Sequence, residues 1–184
     1  CTFSHNFAGL QGGMLSSENS GLIRNVFSLF SSNFAALHGG VIEMEKTKIL
    51  LNLNCLFINN LANNAGGIVL ATDFRNITNI RCIFLNNTSV NTGGNFYLNR
   101  GNLIKTHGSK HINLGTTLQN GGTFFVHKVM LFSGIKSIFS HNFAKEGSGG
   151  AIIIEACKTL LVRHCNFTHN FAKTGGSIHT IACD

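Results

Sequence analysis

The chain reads as all-β, a right-handed parallel β-helix of about seven coils with three short strands in each ~27-residue coil. Three observations lead there. Gly-Gly pairs stand at Gly12-Gly13, Gly39-Gly40, Gly66-Gly67, Gly93-Gly94, Gly121-Gly122, Gly149-Gly150 and Gly175-Gly176, spaced by 27, 27, 27, 28, 28 and 26 residues. A second motif, Phe-x-x-Asn, keeps the same step as Phe3 to Asn6, Phe30 to Asn33, Phe57 to Asn60, Phe84 to Asn87, Phe139 to Asn142 and Phe167 to Asn170. Between these marks apolar residues alternate with polar ones, the period of a strand with one face turned inward.

The first strand of each coil follows the Gly pair. Its second position holds Leu15, Ile42, Val69, Phe96, Phe124, Ile152 and Ile178, and its fifth is mostly polar: Glu18, Glu45, Thr72, Asn99, His127 and Glu155. The second strand carries Ile23, Leu50, Ile77, Ile104, Phe132 and Leu160. The third contains the Phe of Phe-x-x-Asn. With coils stacked ~4.8 Å apart, the Phe residues form an internal ladder. The Asn amides bond up and down the stack at a turn, and the Gly pair permits positive φ at a corner. A helical repeat fails, because a Gly pair, several Asn and many β-branched residues per unit disfavour helices. A leucine-rich repeat needs a Leu-x-x-Leu-x-Leu pattern that is missing.

Cys1, Cys55, Cys82 and Cys165 share one inward column with Ser28, Ser109 and Ser137, while Cys157 and Cys183 share another. Parallel stacking holds Cβ atoms near ~4.8 Å, wider than a relaxed disulfide prefers, so Cys55 and Cys82 are expected to be unpaired.

Composition narrows the partners. Charged residues make up 11% of the 184 and the formal net charge is +7. No stretch approaches the ~20 apolar residues of a membrane span. The chain opens at Cys1 inside a repeat, which predicts one segment, 1–184, of a longer repeat array.

The consensus Cys/Ser-x-Phe-x-x-Asn-x-Ala followed by Gly-Gly-x-Ile resembles the repeats of chlamydial polymorphic outer membrane proteins. Similar repeats occur in adhesin-like proteins of other microbes and in large surface proteins of ciliates. The best copies are Cys165 to Ala172 with Gly175-Gly176-Ser177-Ile178, and Phe139 to Ala144 with Gly149-Gly150-Ala151-Ile152. The resemblance covers the whole chain, weakly over 101–116. It implies a non-catalytic structural or adhesive module at a cell surface, secreted or on an outer membrane. The expected partners are further coils of the same chain, end-to-end copies, cell-surface glycans or other surface proteins. No cofactor and no nucleic acid is expected.

Residues that could carry chemistry are few. A carbohydrate-active enzyme is the alternative function, since many β-helices cut polysaccharides with carboxylates. The seven acids are Glu18, Glu43, Glu45, Asp73, Glu146, Glu155 and Asp184, and only Glu18, Glu43 and Glu45 cluster, which makes them the candidate acid/base or calcium group. His5, His141 and His169 precede ladder Asn residues, but two stacked imidazoles do not complete a zinc site. Lys46, Lys48, Arg75, Arg100, Lys128 and Lys158 follow the first strand and form a basic stripe interrupted by Asp73, a candidate for reading an acidic polysaccharide. Asn76, Asn86 and Asn166 are sequons, and Asn87 is a fourth that belongs to the inner ladder.

The fifth copy of Phe-x-x-Asn is degenerate: His111-Ile112-Asn113-Leu114. Loss of Phe and Asn there removes one aromatic layer and one amide rung. Gly101, Gly108 and Gly115 lie nearby, and Gly weakens strands. Residues 101–116 are therefore expected to be the least regular and most mobile stretch, and the place for a partner contact.

Overall fold

The computed structural model describes residues 1–113 and 116–183. It is a parallel β-helix whose strands pair with the strand one coil away, in the register the repeat dictates. Phe3 pairs with Phe30, Phe30 with Phe57, and Phe57 with Phe84. Leu15, Ile42, Val69, Phe96, Phe124, Ile152 and Ile178 run across the main sheet in the same way. The inward columns form one core that includes Phe30, Ile42, Leu50, Phe57, Ile77, Phe84, Phe96 and Phe124, all fully buried. Each such Phe removes enough apolar surface from water to contribute ~1.5–3 kcal/mol.

The coil has four corners rather than three. A short extra strand follows the Asn ladder, as in Phe34–Ala35 and Leu61–Ala62. In the middle of the solenoid the first two strands fuse into single runs: Val69–Ile80, Phe96–His107 and Phe124–Ile135. Among the described residues the corners fall into four columns of positive φ. The first column is Asn19, Lys46, Asp73, Arg100, Lys128, Ala156 and Ala182. The second is Phe27, Asn54, Arg81, Gly108, Lys136 and His164, and the third is His5, Ser32, Asn59, Asn86, His141 and His169. The fourth is the first Gly of each pair. A non-glycine residue in this region costs ~1–2 kcal/mol. Asn, Asp and His tolerate it best, and they recur here. The turn sacrifices no hydrogen bond, because the corner N–H still reaches the next coil: Lys46 N donates to Thr72 O at 2.9 Å and Asn54 N to Ile80 O at 2.9 Å. The second Gly of the pair has a different reason. A Cβ at Gly40 would collide with the carbonyl oxygen of Gly67 in the coil above.

The Asn ladder is continuous through four rungs. Asn6, Asn33 and Asn60 each donate Nδ2 to the Oδ1 of the next Asn at 2.8–2.9 Å, ending on Asn87. Asn33, Asn60 and Asn87 also cap the carbonyls of Phe3, Phe30 and Phe57 with Nδ2. A second ladder, absent from the sequence reading, runs inside the second strand: Asn25 to Asn52 and Asn52 to Asn79, each at 2.8 Å.

The fifth copy keeps its aromatic layer in another form. His111 is fully buried and takes the place of the missing Phe. Its ring stacks on Phe84 at 4.5 Å and on Phe139 at 4.8 Å, so the aromatic column has no missing layer. Half of the amide rung is kept, one residue early in register: Asn113 Oδ1 accepts from the Asn87 backbone N–H at 3.2 Å, while Asn113 Nδ2 turns to Gly122 O at 3.4 Å. The described residues 101–113 hold strand register throughout, with Lys110–Ile112 paired on both sides. Leu114 and Gly115 lie outside the described residues. Gly101 is required by close packing: a Cβ there would run into the ring of Phe74, which lies over it. Gly108 sits at a corner with φ 59, where glycine is the least strained choice.

A polar core replaces an apolar one around His111. Val41 and Ile68 give way in their column to Asn95, and Asn79 gives way in its column to Thr106. Thr106 Oγ1 is 2.9 Å from His111 Nε2, and Asn95 Nδ2 is 3.4 Å from His111 Nδ1. With the Asn95 amide in this orientation Nδ1 accepts and Nε2–H donates to Thr106, and Asn95 Oδ1 is left buried without a partner. Burial pushes the His111 pKa down to about 3, which keeps the ring neutral.

Candidate functional site

The outward positions of the first strand form the floor of a groove of about 470 Å³. Leu70, Tyr97 and Phe125 stand directly opposite one another on neighbouring strands. The rings of Tyr97 and Phe125 stack at 4.8 Å with planes 3° apart. The opposite wall is the column before each Gly pair: His38 and Ala65 are bridged in parallel, as are Ala65 and Thr92, and Gln119 and Asn120 continue the line. Asn64 lines the wall and accepts the amide of Asn91 at 2.7 Å. The groove therefore runs along the solenoid axis, and each coil adds one lining residue to each side every ~4.8 Å.

Polar groups in the groove and beside it are incompletely paired. His38 Nδ1, Asn99 Oδ1 and His127 Nδ1 are buried without a hydrogen bond. His127 Nδ1 lies 3.3 Å from Glu155 Oε2, within ion-pair reach but not aligned as a hydrogen bond. Asn99 stands opposite His127, and His127 opposite Glu155. Desolvation lowers the His38 pKa, against the opposing pull of Glu43. Desolvation and then the Glu155 charge raise that of Tyr97. Aromatic floor and amide walls suit a ligand with both apolar faces and many hydroxyls, since such sites combine apolar area with a few placed polar groups.

The acids do not form a cleaving pair in this groove. Glu43 lies opposite Leu70, and Glu155 is four strands further along the sheet, so the two are separated by ~19 Å at ~4.8 Å per strand. Glycosidase carboxylates stand ~5–9.5 Å apart. The Glu18, Glu43, Glu45 group is otherwise occupied. Glu43 is largely covered and accepts Ser16 Oγ at 2.7 Å. Glu45 pairs with Lys46 at 3.0 Å, and Glu18 accepts Asn19 Nδ2 at 3.0 Å.

The basic stripe resolves into two adjacent columns. Lys46, Arg100 and Lys128 occupy the corner column with Asp73, while Lys48, Arg75 and Lys158 lie two residues further on and are all exposed. Arg100 holds Asp73 through two bonds of 2.6 and 2.8 Å, which lowers the Asp73 pKa. Acids thus claim two of the six cations. Among the sequons, Asn166 is exposed on a strand, Asn76 is half-buried, Asn86 sits at a corner with φ 53, and Asn87 is fully buried. His141 and His169 stack at 4.7 Å, and no group of three metal-ligating side chains occurs among the described residues. All six cysteines are free thiols, with Cys55 and Cys82 buried in the predicted inward column. Cys55 Sγ donates to Leu53 O at 3.3 Å and Cys82 Sγ lies 3.4 Å from Asn52 O, and interaction between the neighbouring thiols lowers the Cys55 pKa and raises that of Cys82.

The groove was not found by sequence reasoning. The alternating outward column Leu70, Tyr97, Phe125 was legible as the one place where aromatic residues face outward on the main sheet. What hid the site was the wall, whose position over the sheet depends on the fourth corner. Comparison with protein-family models, with curated proteins and with solved structures finds no match for the chain.

Proposed function

We propose that the chain is a non-catalytic repeat module of an extracellular surface protein, and that it adheres by holding a linear glycan along the outer groove. The observation that carries this reading is the stacked Tyr97–Phe125 pair on the floor of a groove walled by Asn64, Thr92, Gln119 and Asn120. Apolar ring surface beside amides matches the alternating C–H and O–H surfaces of a pyranose. The axial direction of the groove matches a polymer, because every coil repeats the same contact geometry. Further coils of the same array, or copies joined end to end, would lengthen it. The separation of Glu43 and Glu155 supports binding without cleavage.

The test is calorimetry with linear cello-, chito- and xylo-oligosaccharides and oligogalacturonides. One class should bind saturably, Tyr97→Ala should weaken it by about tenfold, the scale of ~1.4 kcal/mol, and the glycan should be recovered uncut. Absence of saturable binding to all four, or binding indifferent to both Tyr97→Ala and Phe125→Ala, refutes the groove. Shortened products would replace adhesion by catalysis.

A further inference from the structure

The second corner of the solenoid carries a basic edge that no acid enters. In every coil the stretch from just beyond the first corner to the Asn ladder contains no Asp or Glu: 20–33, 47–60, 74–87, 101–113, 129–142 and 157–170. Cations gather in the same stretch over four successive coils. Arg81 and Lys136 sit in the corner column itself, with Gly108 between them. The order is fixed by the backbone: Arg81 N bonds His107 O at 2.9 Å, Gly108 N bonds Ile135 O at 3.0 Å, and Lys136 N bonds Arg163 O at 3.0 Å. Lys105 and Lys110 flank Gly108 on the two adjoining strands, and Arg163 extends the line by one coil. Arg81, Lys110, Lys136 and Arg163 are exposed, and none of these cations forms an ion pair among the described residues.

The first corner contrasts with this. There Asp73 holds Arg100 and Glu45 holds Lys46. Unpaired cations of one sign keep their field for a partner. Gly108 adds shape: it is exposed, and the only neighbour of an added Cβ would be the Arg81 side chain at 3.6 Å. The result is a notch without a side chain, bracketed by positive charge above, below and on both sides.

We propose that this edge is a binding site for an anionic polysaccharide, distinct from the groove and independent of its occupant. Arg81 and Lys136 are two coils apart, ~9.6 Å at ~4.8 Å per coil. The charges follow a corner that runs along the solenoid axis, so they trace a line, the form of an extended chain bearing carboxylates or sulfates at regular intervals. Single-stranded nucleic acid would ask for aromatic platforms between the cations. The exposed aromatic residue of this corner column is Phe27, at the far end, beyond Asn54. A membrane surface would ask for inserting aromatic side chains beside the charges, and the edge from Arg81 to Arg163 has none.

The test is fluorescence anisotropy with labelled heparin octasaccharide over a salt series, with labelled dextran as the neutral chain. Heparin binding should fall steeply with salt, and dextran should not bind. The triple variant R81Q/K110Q/K136Q should weaken heparin binding by about tenfold or more, since the electrostatic term scales with the contacts removed. The equal-charge control K46Q/K145Q/K173Q removes the lysine that Glu45 holds and two exposed lysines beyond the Asn ladder, and it should change binding less than about twofold on the same ground. Matching circular dichroism spectra would establish that both variants fold. The proposal is overturned by absence of salt-dependent binding or by equal losses in the two triple variants. Duplex DNA or anionic phosphatidylserine vesicles competing as effectively as unlabelled heparin would also overturn it.

Discussion

The imidazole of His111 lies flat on the ring of Phe84, centroids 4.5 Å apart and planes 8° from parallel. A histidine thus serves as a rung of a phenylalanine ladder, and it can do so only while neutral. In the unfolded chain the ring titrates near 6.5, and in the fold burial takes it to about 3. Between these values the unfolded state binds the extra proton. The stabilising contribution is therefore whole above about pH 6.5 and is lost as pH falls toward 3, up to a total on the order of 5 kcal/mol. Urea unfolding at pH 7, 5.5 and 4 should show this loss in the native chain and a shallower one in His111→Phe. Equal pH slopes would contradict it.

Gly101 and Phe74 form a packing pair across adjacent strands. Gly101→Ala should destabilise by ~1–3 kcal/mol through overpacking. Combined with Phe74→Leu, the loss should be less than the sum of the two single changes, because the smaller side chain admits the methyl group. A double-mutant cycle by thermal unfolding reads this directly, and strict additivity would count against the contact.

The Asn ladder predicts a gradient. Asn60→Ala leaves the Asn33 backbone N–H and amide without their acceptor and the Phe30 carbonyl without its donor, all in the interior. Its cost should reach ~3 kcal/mol or more, at ~1–3 kcal/mol for each buried orphan. Asn6→Ala, at the half-buried end, should cost about 1 kcal/mol, as for one ordinary hydrogen bond. Similar losses at both positions would mean that the ladder is not what holds this turn.

Cys55 and Cys82 are stacked neighbours, and both are free thiols. Intact-mass spectrometry after alkylation should show neither thiol modified in the folded chain and both modified in denaturant. A mass lower by two hydrogens, mapped to a Cys55–Cys82 bridge, would contradict the parallel geometry.

The repeat made the architecture legible because stacking forces chemically similar residues into one column. Gly39 and Gly40 mark a corner, and Phe30 marks an inward strand, wherever they recur. The second ladder of Asn25, Asn52 and Asn79 obeyed the same 27-residue step and could have been read the same way. The fifth copy is hard to read from the motif because its Asn is displaced by one residue and its aromatic is an imidazole. The clue was elsewhere: Asn95 and Thr106 enter apolar and amide columns in the same coil, and a buried polar residue comes with its partners. The groove depended on which corner folds over which strand, which spacing alone does not specify.

Tyr97 is the single tyrosine of the chain, and there is no tryptophan. Its emission therefore reports on the groove floor alone. Titration of the chain with the oligosaccharide class identified by calorimetry should change tyrosine fluorescence saturably, with the same Kd. Heparin octasaccharide, bound at the second corner, should leave that emission unchanged. Saturable glycan binding with Tyr97 emission unaltered would place the ligand elsewhere and contradict the account.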